Sequence, residues 1–291
     1  MRYGYTGKII RVDLTQQIVK EETLDENVYR LFPGGKALAG YILLKEMTQG
    51  VEPFSPQNIL VLACGVLTGA PFSTTTRFTA AARSPLTGAY GESEAGGYWG
   101  PELKMAGYEA VIITGKADHP VYLWIQDGSI ELRDAHHLWG QPPDIVQSTI
   151  RQELGDEKIQ VLQIGIAGEN LVRYASLTHN MRHYNGRTGM GAVMGSKRLK
   201  AVVVRGTKPP RPAEPDRFRE LTKRLKALQE ANPGIVWFGE YGTAGVLAIQ
   251  NKMGGQPTRN YTEGTFEHAQ ATDGTTMART ILKERDTCYA C

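Results

Sequence analysis

Cysteine is scarce: three in 291 residues, too few for a disulfide framework, and a thiol pair kept for metal suits a reducing compartment. No apolar run approaches the roughly 20 residues of a membrane span. The first twenty residues mix charges with single apolar side chains and hold no uninterrupted signal core. These absences predict a cytoplasmic protein. Like charges form no block; a formal net charge of +3 is spread over both halves and gives no footing for a nucleic-acid surface. Internal repeats and low-complexity tracts are absent too. What is present is 41% hydrophobic residues, 22% charged residues and 33 glycines, the composition of a folded globular chain with many tight turns. The length suits one full domain plus part of a second.

Alternation of apolar and polar residues predicts a hairpin from residues 8–14 and 18–20. Further strands are predicted at 59–64, 77–82, 110–114, 121–126, 130–133, 159–164 and 201–205, with Asp127-Gly128 turning one hairpin. Helical spacing predicts helices over 36–47, 100–105, 144–154 and 191–199. Strands outnumber helices and do not alternate with them, which points to an α+β fold rather than a repeating βαβ sheet. Residues 208–215 carry four prolines in eight positions and read as an interdomain linker. The segment beyond it, starting with a charge-laced amphipathic helix at 216–231, reads as helical as far as Cys288.

Cys288-Tyr289-Ala290-Cys291 is a CxxC pair. That spacing lets two thiolates reach one zinc or iron-sulfur centre, yet four ligands are the usual count. Cys64 sits in an apolar run more than two hundred residues away and reads as a small buried hydrophobe. The chain is therefore expected to be the front part of a longer enzyme. Two glycine-rich segments suit an anion. Residues 91–104 and 185–200 each place small residues ahead of a helix, where backbone amides and the helix N-terminus favour phosphate, and Arg187 can fork onto its oxygens. Neither matches a nucleotide-hydrolase loop or a dinucleotide fingerprint, and a tight connection needing only positive φ is an equal reading.

Taken in order, Gly34-Gly35-Lys36, residues 69–77, 83–88, Gly96-Gly97 with 100–104, residues 191–197 and Pro257-Thr258-Arg259-Asn260-Tyr261, with the CxxC pair, resemble the tungsten-containing aldehyde ferredoxin oxidoreductase family. The likeness runs the whole length. It implies tungsten, or in some members molybdenum, held by two pterins, with a 4Fe-4S cluster nearby and magnesium bridging the pterin phosphates. It further implies a two-sheet pterin-binding saddle at residues 1–207 and an incomplete helical domain at 208–291 ending in the first half of the cluster motif. Arg77, Glu94, Gly96, Arg187, Thr188 and Gly189 fall where the family contacts pterin and magnesium. Cys288 and Cys291 would be the first two cluster ligands. Glu94 stands where the family's pattern has asparagine, and Thr188 where a smaller residue is common; carbonyl ligation survives both changes. The implied activity is oxidation of an aldehyde to a carboxylic acid with ferredoxin as acceptor, in an anaerobic setting. The remaining C-terminal part is an implied partner, and a homodimer is left open. The alternatives are a relative that reduces another carbonyl or a thioester-activated aromatic acid, and a non-catalytic module that binds pterin weakly or shares a zinc site.

Other residues read as structural. His136-His137 is expected to be a surface pair without carboxylate partners. His179 and His183 are expected on one face of a weak helix, without a third metal ligand. Asp144 and Glu153 offer no paired arrangement for acid/base catalysis.

Overall fold

A computed structural model describes residues 3–290. The chain forms two compact units: one runs to Ala213 and takes back the segment from Thr287, and the other is Glu214–Asp286.

The first unit is built on two six-stranded sheets. The first sheet comprises β1 (Lys8–Asp13), β2 (Ile18–Thr23), β3 (Leu60–Cys64), β4 (Phe78–Arg83), β5 (Tyr90–Ala95) and β6 (Ala110–Thr114), in the order β2-β1-β6-β3-β4-β5. The second comprises β7 (Val121–Gln126), β8 (Ser129–Asp134), β9 (Gln160–Ile164), β10 (Leu177–His179), β11 (His183–Asn185) and β12 (Leu199–Arg205), in the order β11-β10-β9-β12-β7-β8. Only β1 with β6 and β12 with β7 run parallel; the other pairings are antiparallel.

Period-two burial fixes the layers. Ile10, Val12, Leu60, Leu62, Val111 and Ile113 share a core with Leu123, Ile125, Leu162, Val202 and Val204 of the second sheet. Their neighbours Ile9, Val61, Ala81, Ala110 and Ile112 pack on the other face, against helices α1 (Glu26–Leu31) and α2 (Gly35–Glu46). Both faces of the central strands are thus covered, which is why β3 reads as an unbroken apolar run. Helix α3 (Trp99–Met105) lies in the shared core, where Trp99 Nε1 donates to Val202 O at 2.8 Å. Beyond the second sheet, Val146 and Ile150 of α4 (Pro143–Leu154) meet Tyr122, Trp124, Val161 and Val203. Short helices α5 (Ile166–Glu169) and α6 (Met190–Ser196) complete the unit.

The predicted helix at 191–199 stops at Ser196, because Leu199 already pairs with Val121 in β12. The segment around His179 and His183 is a hairpin, not a helix. Asn180 and Met181, at φ 52° and 57°, turn the chain between its strands.

The second unit holds α7 (Pro215–Glu230), α8 (Pro233–Tyr241), α9 (Val246–Lys252), α10 (Ala269–Thr272) and α11 (Gly274–Thr280). It is not helical throughout: the chain between α9 and α10 is irregular, with a bridge from Thr258 to Glu263. No helix among the described residues is long and apolar enough to cross a membrane.

Candidate functional site

β5 and the loop after β11 meet edge to edge. Asn185 Nδ2 donates to Ser93 O at 2.7 Å, Arg187 N to Ser93 Oγ at 3.1 Å, and Thr188 Oγ1 to Glu92 O at 3.1 Å. Ser84 Oγ donates to Thr188 O at 2.8 Å from the far side; that carbonyl keeps a second lone pair. Gly189 closes the loop at φ 76°, and a Cβ there would lie 2.0 Å from Arg173 O, so the position tolerates no side chain.

The two glycine-rich segments therefore share one concavity. It has a volume of about 480 Å3 and is lined by Lys36, Glu92, Glu94, Tyr184, Gly186 and Arg187, with Ser93. Glu92 and Glu94, two residues apart on one face of β5, both reach Lys36 Nζ, at 3.5 and 3.2 Å. Glu94 and Glu92 hold the lysine's proton more firmly than usual. Helices α3 and α6, into which the glycine segments lead, are buried in the inter-sheet core and do not line this space. Its capacity for an anion lies in Lys36, Arg187 and loop backbone, not in a helix terminus.

Directly beyond β5, two residues after Glu94, the chain turns through Gly96 and Gly97. Register places Arg77, directly before the Phe78–Ala95 pair, level with Gly96, and Arg77 is exposed. A Cβ on Gly96 would meet Cys288 Sγ at 2.9 Å and Thr76 Oγ1 at 3.3 Å; glycine is what admits the thiol. Tyr289 fastens this segment, donating from N to Gly97 O at 3.4 Å and from its hydroxyl to Gly69 O at 3.2 Å. Cys288 is half-buried. Cys291 lies outside the described residues, and among those described no three metal-ligating side chains converge.

Comparison with known proteins decides the family. The family described as aldehyde ferredoxin oxidoreductase, N-terminal domain, matches residues 9–206, and its domains 2 and 3 match residues 220–291. The chain belongs to the aldehyde ferredoxin oxidoreductase family. It is 45% identical over 293 residues to a tungsten-containing aldehyde ferredoxin oxidoreductase of Pyrococcus abyssi, covering 99% of this chain and 48% of that protein. It is 34% identical over 306 residues to the WOR-like subunit of an aliphatic sulfonate oxidoreductase of Pyrococcus furiosus, again with 99% and 48% covered. Among solved structures it resembles the active-site complex BamBC of benzoyl coenzyme A reductase, with a TM-score of 0.87 and 33% identity over 100% of this chain and 46% of that one. The chain spans about half the length of the curated relatives it matches.

Within this family fold, the α+β architecture of two mixed sheets is the one expected. The structure brings Glu94, Arg187, Thr188 and Gly189 together and places Gly96 and Arg77 further along the same strand pair, with Cys288 against Gly96. Sequence reasoning passed over Lys36, Glu92 and Ser84 as site residues. Lys36 follows Gly34-Gly35, and Glu92-x-Glu94 is a strand spacing; nothing local tied these together. His136-His137 is a surface pair as expected, but it does have carboxylate partners: His136 Nδ1 lies 2.6 Å from Asp134 Oδ2, and His137 Nε2 lies 2.6 Å from Glu153 Oε1. Cys64 is fully buried, its thiol 3.3 Å from Gly100 O, and burial pushes its pKa up, so it stays protonated and structural.

Proposed function

We propose that this chain supplies the cofactor-holding half of a tungstopterin oxidoreductase that oxidises aldehydes to carboxylic acids with ferredoxin as electron acceptor. The observation that carries the reading is the alignment along β5: a concavity that sets Lys36 and Arg187 beside Glu92 and Glu94, and a glycine that admits Cys288 two residues beyond Glu94. The residues present suit the cofactor. Phosphates want guanidinium and ammonium donors, which Arg187 and Lys36 offer, with Arg77 further along. Glu92 and Glu94 offset that charge, so a doubly phosphorylated ligand needs an added cation; magnesium, which the Glu94 and Thr188 carbonyls would hold, would supply it. When bound, the metal and its dithiolene sulfurs supply the two-electron chemistry of the substrate carbon, and a 4Fe-4S cluster held in part by Cys288 and Cys291 supplies the outward path for electrons. The protein's own work is binding and orientation: Arg187 holds an anion at one end of β5, Thr188 and Ser84 fix the loop carbonyl, and Gly96 lets the cluster segment approach.

The test uses the full-length protein purified without oxygen. Tungsten with iron and acid-labile sulfide supports the enzyme; zinc alone supports a non-catalytic module and overturns the reading. Arg187→Ala is expected to lower tungsten and pterin content, and unchanged occupancy counts against its assignment. The likeness to benzoyl coenzyme A reductase keeps reduction of a thioester-activated aromatic acid as a second reading, separated from the first by assaying simple aldehydes.

A further inference from the structure

A separate cavity of about 330 Å3 opens on the first unit, and no residue lines both it and the Lys36–Arg187 concavity. Lys104 and Glu109 are its buried lining residues, Lys208 and Arg211 its exposed charged ones. Tyr5, Pro209 and Pro210 make much of the remaining wall apolar.

The buried pair has nothing left to give a ligand. Lys104 Nζ donates to Gly4 O at 3.0 Å, to Val66 O at 3.4 Å and to the Glu109 carboxylate, which occupies all three of its protons. Glu109 Oε1 accepts in turn from Thr6 N at 2.8 Å. Lys208 and Arg211 are the opposite case: among the described residues neither side chain makes a hydrogen bond or an ion pair. Three cations against one acid leave the cavity with a positive surplus, and the surplus sits on the two side chains that are free to meet a ligand.

The wall is also formed in advance. Arg211 O accepts from Gly4 N at 2.9 Å and Lys208 N donates to Met105 O at 3.1 Å, so residues 208–211 are tied down at both ends, and the two prolines between them fix their own φ. The buried Tyr29 braces Tyr5, with ring centroids 4.9 Å apart. A ligand entering such a site has little chain to order.

We propose that this cavity binds a small carboxylate with an apolar body, the body lodged against Tyr5, Pro209 and Pro210 and the carboxylate paired with Lys208 and Arg211. The volume lies at the small end of the range for small-molecule sites. An inorganic anion would leave the apolar wall unused, and a neutral molecule would leave the charge surplus unanswered; a guanidinium and an ammonium beside an apolar surface suit a ligand that has both parts. The inference stands on this cavity alone and not on the functional reading above.

The experiment uses the full-length protein with 4-fluorobenzoate as the probe, fluorine NMR for affinity and amide hydrogen exchange for location. Binding is expected to slow exchange at the amides of Gly4, Lys208 and Arg211. The double variant Lys208→Ala with Arg211→Ala removes exposed side chains that hold nothing in the fold, and is expected to bind the probe about tenfold more weakly. Neutral 4-fluorobenzamide is expected to lose a similar factor against the wild type. Unchanged affinity in the double variant, equal affinity for the amide, protection confined to other segments, or no binding at all overturns the proposal. Displacement of the probe by an equal concentration of inorganic phosphate also overturns it, because the site would then be an anion patch with no use for its apolar wall.

Discussion

The two units of this chain both form regular secondary structure and bury very different amounts of themselves. In the first, residues such as Ile10, Leu62, Trp99, Val111 and Val202 have no exposed surface, and three apolar clusters fill the spaces between layers. In the second, Ala269 is the one buried hydrophobic side chain among the described residues, while Ile235, Val236 and Phe238 of α8 are about half exposed at 47%, 52% and 50%. Order there rests on local devices: Asn232 capping α8, Asp273 capping α11, and charge pairs along α7. Helices of this length are marginal alone in water. Regular secondary structure is thus no measure of stability; a shared apolar interior is.

The sharpest way to break this comparison is to delete a large side chain from each unit. Trp99→Ala removes a fully buried indole and its bond to Val202, and is expected to cost about 3–5 kcal/mol. Phe238→Ala removes a half-exposed ring and is expected to cost under about 1 kcal/mol. Urea unfolding, followed by amide exchange resolved to each unit, measures both. Equal losses would refute the contrast.

Charge pairs sharpen it from another side. Lys104 and Glu109 are buried together, with side chains 1% and 2% exposed, and Lys104 Nζ also donates to Gly4 O at 3.0 Å. Among the described residues, Lys104→Met strands the Glu109 carboxylate with only Thr6 as donor, for an expected loss of about 3–5 kcal/mol. Adding Glu109→Leu should recover most of it, since the pair itself is worth little net against apolar packing.

Acid separates the units as well. Burial holds the folded His179 pKa down to about 4, against about 6.5 in the unfolded chain. Between those values the unfolded state takes up a proton that the folded state refuses. The first unit therefore loses stability as pH falls from about 6.5 to 4, by on the order of 3 kcal/mol in full. His179→Phe should flatten that part of the stability–pH curve; an unchanged slope would assign it elsewhere.

How much of this could be read beforehand depends on whether a feature is local. The β1–β2 hairpin and strands β3, β6 and β7 announce themselves by apolar runs and alternation. β5 does not: Gly91-Glu92-Ser93-Glu94 holds no β-branched residue, and its strand form comes from pairing with β4. The β10–β11 hairpin has strands of three residues, too short to show a period, so histidines four apart were free to imitate a helical face. Within the site, the glycines are legible because close backbone approach allows little else. The Lys36 contact with Glu92 spans 56 residues and leaves no local trace.

The smallest expected effect closes the contrast. Arg219 and Asp216 form an ion pair on α7 with side chains 71% and 91% exposed, in solvent that screens them and leaves both long side chains their rotamer freedom to lose. Asp216→Asn should change stability by no more than about 0.5 kcal/mol, and less at high salt, because nothing is desolvated on folding and nothing is stranded by the substitution. The same type of contact at Lys104 is costly to break because its partner has no water to return to. A loss at Asp216 as large as that of Lys104→Met would mean that α7 is buried in solution, and the distinction between a unit with its own interior and one held by surface devices would fall.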